Sequence, residues 1–512
     1  MSRSGQNVAR VGYATSSGQE FHLVVQLLLP VAVTLVLWMT TSNPVTPVAN
    51  LCSLVLLQLV WTTCITWSRR NQGGLPLFSL VGFAYWVYFA FPVYVGGREI
   101  ATVTRSIPVT EEAVTRAVEM ALLGVSCMFA GMKIRIFSSA VSKSGDVDMT
   151  TPFTWTYLRF VMMAGTVASF FPSFIYILGS EFRQVTMILV SIVPTAALAI
   201  LLVRYWRGKG SAVDGPLLII AIGLRIAGAL ASGWLGPILA LGITICGIYV
   251  VVRRSVPWAA ILVTIGCFLF LQVGKTAFRD TFWDTGRRGA AFQETPLSDR
   301  VQFWIEESFN QWSTAFGGDY SSSSGRLVVQ AAQRASLLTQ VAHVLDVTPS
   351  EVPYQGGQTY SYLAITLIPR FLWPDKPSIN EANQFYQVAY GLTDPKSLQY
   401  VSISVGAMAE AYINFGWIGV AGMMFAIGLL LQLYDRYFLS NHRNLLMSMI
   451  GITLLPQFLS IEGQLGVYIG GLLQQILLTF LALLVITIRP SRIGGRIARY
   501  TAIPRSNYPG RA

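Results

Sequence analysis

RQVTMILVSIVPTAALAILLVR, residues 183–204, holds twenty consecutive uncharged residues between Arg183 and Arg204. At 1.5 Å of rise per residue, a helix of that length reaches about 30 Å, the thickness of a bilayer's hydrocarbon core. A helix on a soluble protein turns a charged face to water, and this run has none to turn. Runs of the same kind recur near 22–41, 49–68, 75–97, 114–132 and 157–179 before it, and near 215–232, 235–252, 256–273, 405–433, 444–461 and 466–488 after it. The expected fold is all-α: a polytopic membrane protein of about twelve transmembrane helices with one large outward-facing segment. The stretch 215–252 is divided into two short spans at Ser232-Gly233-Trp234-Leu235-Gly236.

Composition points the same way. Apolar residues make up 53% of the 512, charged residues 12%, and the mean hydropathy is +0.54; soluble domains carry about 25% charged residues. Soluble, disordered, collagen-like and disulfide-scaffold classes are excluded. The net charge of +12 comes from scattered residues, so it does not indicate nucleic acid. Its placement encodes orientation instead. Twenty Lys and Arg fall in 1–21, 69–74, 133–156, 204–214, 253–255, 434–443 and 489–512, which twelve spans put on one side. The short segments and span edges of the other side hold only Arg98, Arg105, Arg116 and Arg183. Positive charge marks the inside, so both termini are expected in the cytoplasm. Residues 1–21 are polar and lack a signal-peptide pattern. The five cysteines all lie in apolar runs and read as small apolar residues.

The chain divides into a bundle of nine spans (1–273), a large outward segment (274–404), three further spans (405–488) and a basic cytoplasmic tail (489–512). To Tyr400 the large segment has ten basic and twelve acidic residues, so it is no polybasic arm. Within it, RVQFWIEESFNQWSTAF (300–316) is amphipathic and suits the membrane interface, a helix is expected at about 326–346, and YSYLAITLIPRFLW (360–373) reads as a re-entrant segment.

Charges inside spans are costly and are candidates for function. Arg225 lies mid-span with Gly228, Ala229 and Ser232 beside it, leaving room for a ligand or for a structural partner. Arg159 sits near the inner end of its span, where snorkelling accounts for it. Lys275 and Arg279 share a face if the ninth span's helix continues, and suit a diphosphate or simple interfacial anchoring. Arg326 and Arg334 fall on one side of their helix, as phosphate ligands or as a solvated face. Arg370, Asp375 and Lys376 are stiffened by three prolines (369, 374 and 377). Glu410 and Asn414 share a face at the outer mouth of span ten, with Gly416, Gly419 and Gly422 expected to admit close helix packing. Glu410 could serve as a general base or hold an arginine. No nucleotide loop, HExxH, GxSxG or paired CxxC is present, and His22, His343 and His442 have no metal spacing. No metal site and no cofactor are expected.

IPRFLWPDKP (368–377) and AEAYINFGWIG (409–419), supported by the Lys275/Arg279 pair, by Arg334 ahead of QGGQTYSY (355–362) and by Arg225 with its small neighbours, resemble the bacterial oligosaccharide repeat-unit polymerases, the Wzy-type O-antigen and exopolysaccharide polymerases. The resemblance covers approximately 215–430. It implies a metal-independent membrane glycosyltransferase of GT-C type in the bacterial inner membrane, joining polyprenyl-diphosphate-linked oligosaccharides at the outer face. A flippase and a chain-length regulator would be its partners, alongside the lipid bilayer itself. Glu410, Arg279 and Arg370 would be catalytic; Arg225, Lys275, Arg326, Arg334, Tyr360, Lys376 and Asn414 would bind substrate. An O-antigen ligase, or a transporter of lipid-linked cargo without chemistry, are the alternative readings.

Overall fold

The computed structural model describes residues 16–41, 45–69, 74–94, 103–104, 107–134, 152–171, 179, 182–282, 295–317, 336–366, 368, 372–373, 375–376, 381–398, 403–440 and 445–484. Regular structure among them is helical, apart from a two-residue antiparallel pair, Val103–Thr104 with Ile107–Pro108. Every one of the twelve apolar runs coincides with a helix: α1 (Ser16–Thr40), α2 (Pro47–Arg69), α3 (Leu77–Tyr85, continuing as π and 3-10 turns to Val93), α4 (Glu111–Lys133), α5 (Pro152–Ala168), α6 (Arg183–Trp206), α7 (Asp214–Ser232), α8 (Gly236–Arg253), α9 (Trp258–Phe282), α14 (Gly406–Tyr434), α15 (Leu445–Leu459) and α16 (Leu465–Leu484). Eight of these, α2, α4, α6 to α9, α14 and α16, are long and apolar enough to cross a membrane. Between α9 and α14 lie α10 (Leu297–Gly317), α11 (Leu338–Val347), α12 (Ser361–Thr366) and α13 (Glu381–Ala389).

The spans are not equivalent. Two thirds of α6's most apolar window is buried (67%) but only 17% of α9's, so α6 runs through the core and α9 along the rim. The tightest crossing joins α4 to α14. A Cβ on Gly131 would collide with the Phe425 carbonyl, and one on Gly428 with the Met128 carbonyl. Two glycines therefore let two backbones touch, and dispersion over a long contact follows. Between α7 and α8, Gly233 takes φ +74° and ends α7, as the Ser-Gly-Trp-Leu-Gly stretch predicts.

Three expectations change. Helix α9 does not stop at the membrane surface near 273 but continues to Phe282, which puts Lys275 and Arg279 on successive turns of a real helix. Helix α10, expected in the membrane interface, packs on α9: Trp304 is fully buried, its indole N–H donating to the Leu271 carbonyl (2.9 Å). The helix expected at 326–346 runs over Leu338–Val347; Ser336 and Leu337 before it are not helical, and 326–335 lie outside the described residues.

Arg159 does not snorkel. Its Nε donates to Asp214 (2.7 Å), whose carboxylate is fully enclosed and also faces Arg204 at 3.7 Å. This triad ties α5, α6 and α7 together at one end. Removing one partner of a buried pair strands the other charge, at roughly 3–5 kcal/mol. Arg159 keeps 23% of its side chain exposed, which sets the expected cost at the low end. Asp214→Asn is expected to destabilise the detergent-purified protein by about 3 kcal/mol, seen as a lowered Tm, and an unchanged Tm would leave the triad without structural weight.

Candidate functional site

The supporting stretch QGGQTYSY (355–362) and the motif AEAYINFGWIG (409–419) meet in space, whereas residues 369–371, 374 and 377 of the other main motif lie outside the described residues. Helix α14 breaks at Phe415 (φ −140°) and Gly416 (φ +61°, ψ −148°). Such a Gly416 conformation is closed to other residues. The break frees the carbonyls of the first half-helix, and backbone N–H groups of the loop take them: Gln355 donates to Ile413 (3.0 Å) and Gly356 to Asn414 (3.2 Å). Gly357 N–H then donates to the Asn414 side-chain oxygen (2.9 Å). The other end of Asn414 donates to Thr359 Oγ1 (2.7 Å) and to the Glu410 carbonyl (2.8 Å).

Glu410, one turn earlier, is buried. Its Oε2 accepts the Leu465 N–H (2.8 Å) at the start of α16, and the Thr359 hydroxyl bonds the same carboxylate. Among the described residues no cation lies within ion-pair distance of it. A carboxylate at a helix N-terminus meets both the unpaired N–H groups and the positive end of the helix dipole. Tyr360 follows Thr359; its hydroxyl is buried with no hydrogen-bond partner among the described residues. Burial, with the Glu410 charge nearby, pushes that phenol above its ordinary range.

Beside this junction a cavity of about 480 Å³ opens among α6, α7, α8, α15 and α16. Arg225 lines it. Its Nε donates to Thr166 (3.1 Å) and its Nη1 to Thr195 (2.6 Å), while Nη2 is buried without a partner among the described residues. A guanidinium held only by hydroxyls inside a bundle is short of a counter-charge. Glu462, in the turn between α15 and α16, lines the same cavity together with Tyr88, Gln457 and Gln475. Glu462 is exposed to the cavity, and the helix ends packed around it desolvate its carboxyl and push it up; a hydrogen bond from Tyr88 and the charge of Lys275 pull it back. Gly236, Pro237, Ser460 and Glu462 lie at helix ends, so the cavity opens at the end of the bundle where the loop docks on α14.

Sequence reading thus singled out Arg225, Glu410, Asn414, Tyr360 and Lys275, all of which lie in or near this junction. It missed Glu462, Tyr88, Thr166 and Thr195. Glu462 was findable as a carboxylate in a short turn between two apolar runs; the hydroxyls were not, because threonines are common in spans. Lys376 is buried and donates to the Ile368 carbonyl (2.8 Å), which makes it a local clamp. Arg279 lies one turn beyond Lys275. Arg326, Arg334 and Arg370 lie outside the described residues. His343 is buried against the Tyr390 carbonyl (2.9 Å).

Gly416→Ala would strain the break and press a Cβ against the Tyr354 hydroxyl at 3.0 Å. A loss of about 1–3 kcal/mol in stability is expected, while Gly422→Ala, with open space around it, should be silent. Thermal unfolding of the two purified variants compares them directly, and equal stability would mean that the break is not needed.

Residues 84–437 match a domain of unknown function, DUF8712. The match takes in more than half of the 512 residues, including Arg225, Lys275, the 355–360 loop and the break in α14, and it ends before Glu462. No curated protein and no solved structure matches the chain. The chain belongs to the family defined by this domain of unknown function, DUF8712.

Proposed function

We propose that the chain is a metal-independent membrane glycosyltransferase that polymerises polyprenyl-diphosphate-linked oligosaccharide units at the outer face of a bacterial inner membrane, with twelve GT-C-like spans and both termini cytoplasmic. The observation that carries this reading is the cavity in which Arg225 lacks an anionic partner, beside the junction of the 409–419 motif with the supporting 355–362 loop. An acceptor hydroxyl attacks the anomeric carbon, the bond to the diphosphate breaks, and the polyprenyl diphosphate leaves with the electron pair. Arg225 meets the leaving charge through its unpartnered Nη2, with Lys275 near the rim. The hydroxyl proton goes to a carboxylate, and Glu462 faces the cavity whereas Glu410 is bonded to backbone. Glu410 acts here as a positioning residue for the turn that bears Glu462.

A transporter reading draws on the broken α14, since transporters bind cargo at discontinuous helices. The freed carbonyls of α14 are already taken by loop N–H groups, which favours the enzyme. A ligase would use the same cavity and differ in its acceptor.

Incubation of purified protein with polyprenyl-diphosphate-linked repeat units tests the proposal. A ladder of lengthened lipid-linked products is expected; a single transfer to a different acceptor would mean a ligase, and neither would sink the enzyme reading. Arg225→Lys should lower kcat/KM by about tenfold or more, the loss of one charge-assisted hydrogen bond of roughly 1.5–3 kcal/mol. A base works ionised, so the rate should fall as pH drops through the raised pKa of Glu462. That limb should vanish in Glu462→Gln and survive in Glu410→Gln; the reverse result would return the base to Glu410.

A further inference from the structure

At the far end of α14 from its break, a second cavity of about 390 Å³ opens between the ends of α2, α4 and α14 and the start of α3. Asp435 follows Asn414 by 21 residues, about 30 Å of helix. The cavity therefore lies one hydrocarbon thickness from the break, at the level of the opposite leaflet's headgroups.

Its lining is divided by charge. Lys133, the last residue of α4, and Asp435 both face it, yet no ion pair joins them, and among the described residues neither has an oppositely charged partner. Lys133 lies over the Phe129 ring, 5.0 Å from its centroid, and Asp435 accepts only the Ser440 hydroxyl (2.9 Å) among side chains. The Trp67 indole N–H is buried there without a hydrogen-bond partner among the described residues. The hydroxyls of Thr62 and Thr66 donate back to the carbonyls of Gln58 (2.9 Å) and Thr62 (2.7 Å), so they present only lone pairs to the cavity. The charged donor of the lining is therefore Lys133 and the charged acceptor Asp435, with Trp67, Gln432, Thr62 and Thr66 as neutral polar groups and Thr63 and Ser79 bonded to each other.

A cation and a carboxylate held apart in one cavity complement a zwitterion. We propose that this cavity seats the headgroup of an aminophospholipid, its phosphate against Lys133 and the Trp67 N–H, its primary ammonium against Asp435 and the threonine oxygens. The volume falls in the range of roughly 300–1,000 Å³ usual for small ligands. An anionic glycerol headgroup would leave Asp435 facing a phosphate with no ammonium between them. A choline headgroup has no N–H to give to Asp435 or the threonines. The site is independent of the glycosyl-transfer reading.

Native mass spectrometry of the full chain, released from micelles containing equal phosphatidylethanolamine, phosphatidylcholine and phosphatidylglycerol, reads the preference. Phosphatidylethanolamine should be retained about tenfold over each of the others, one charge-assisted contact's worth. Equal retention, or preference for phosphatidylglycerol, would overturn the proposal without any variant having to fold. Asp435→Asn should bring ethanolamine and choline lipids within about twofold, and Lys133→Met should weaken all three alike; an unchanged preference in Asp435→Asn would also overturn it. Soluble glycerophosphoethanolamine at the lipid's concentration should displace nothing, and displacement would make this a site for a soluble zwitterion instead.

Discussion

A helix that breaks inside a folded protein must have its freed carbonyls met by other groups, because a buried carbonyl left unpaired costs free energy. In α14 the break after Asn414 exposes two carbonyls, and the loop at 355–357 brings two N–H groups to them. Asn414 closes the junction by using both ends of its amide. The loop of the large segment is thus the missing cap of a membrane helix. Everything near the candidate site is placed by that cap: Thr359 and Tyr360 follow it directly, and Glu410 stands one turn below.

The arginines within the spans divide by what surrounds them. Arg159 and Arg204 share an enclosed carboxylate, and their charge is answered. Arg225 has two hydroxyls and an unpartnered Nη2. Hydroxyl dipoles offset part of the cost of desolvating a guanidinium but cannot cancel its charge. A bundle needing only a structural clamp at this point would be served better by an apolar residue. An anion in the adjoining cavity would supply what is missing, which is the role proposed for it above.

Much of the fold was legible because length and hydropathy act locally: each apolar run near 20 residues coincides with a helix, and Gly233 ends α7 where the Ser-Gly-Trp-Leu-Gly stretch predicts. What stayed hidden depends on partners distant in sequence. Nothing within α6 or α9 says that one is central and the other peripheral. Gly416, Gly419 and Gly422 look like a packing face, yet Gly416 is used for its positive φ and Gly422 meets nothing, while the close crossing falls to Gly131 and Gly428. Arg159 looked able to snorkel because its carboxylate lies 55 residues away. The candidate site was legible where two motifs carried it and illegible where a hydroxyl or the turn at Glu462 completed it.

The two carboxylates near the junction differ in what they can do, and the difference follows from their hydrogen bonds. Glu410 accepts from the Leu465 N–H and from Thr359, so about half of its lone pairs are engaged and its position is fixed by two elements at once. Glu462, three residues before Leu465, keeps its carboxylate toward the cavity, with Tyr88 and the charge of Lys275 as neighbours. The bond from Glu410 to Leu465 anchors the turn on one side; the Ser404 hydroxyl donates to the Glu462 carbonyl on the other. A continuous set of contacts runs from Gln355 and Gly356 through Asn414 and Glu410 to Leu465. The loop that docks on α14 and the turn that bears Glu462 are therefore held to the same half-helix, the loop through Ile413 and Asn414 and the turn through the Glu410–Leu465 bond.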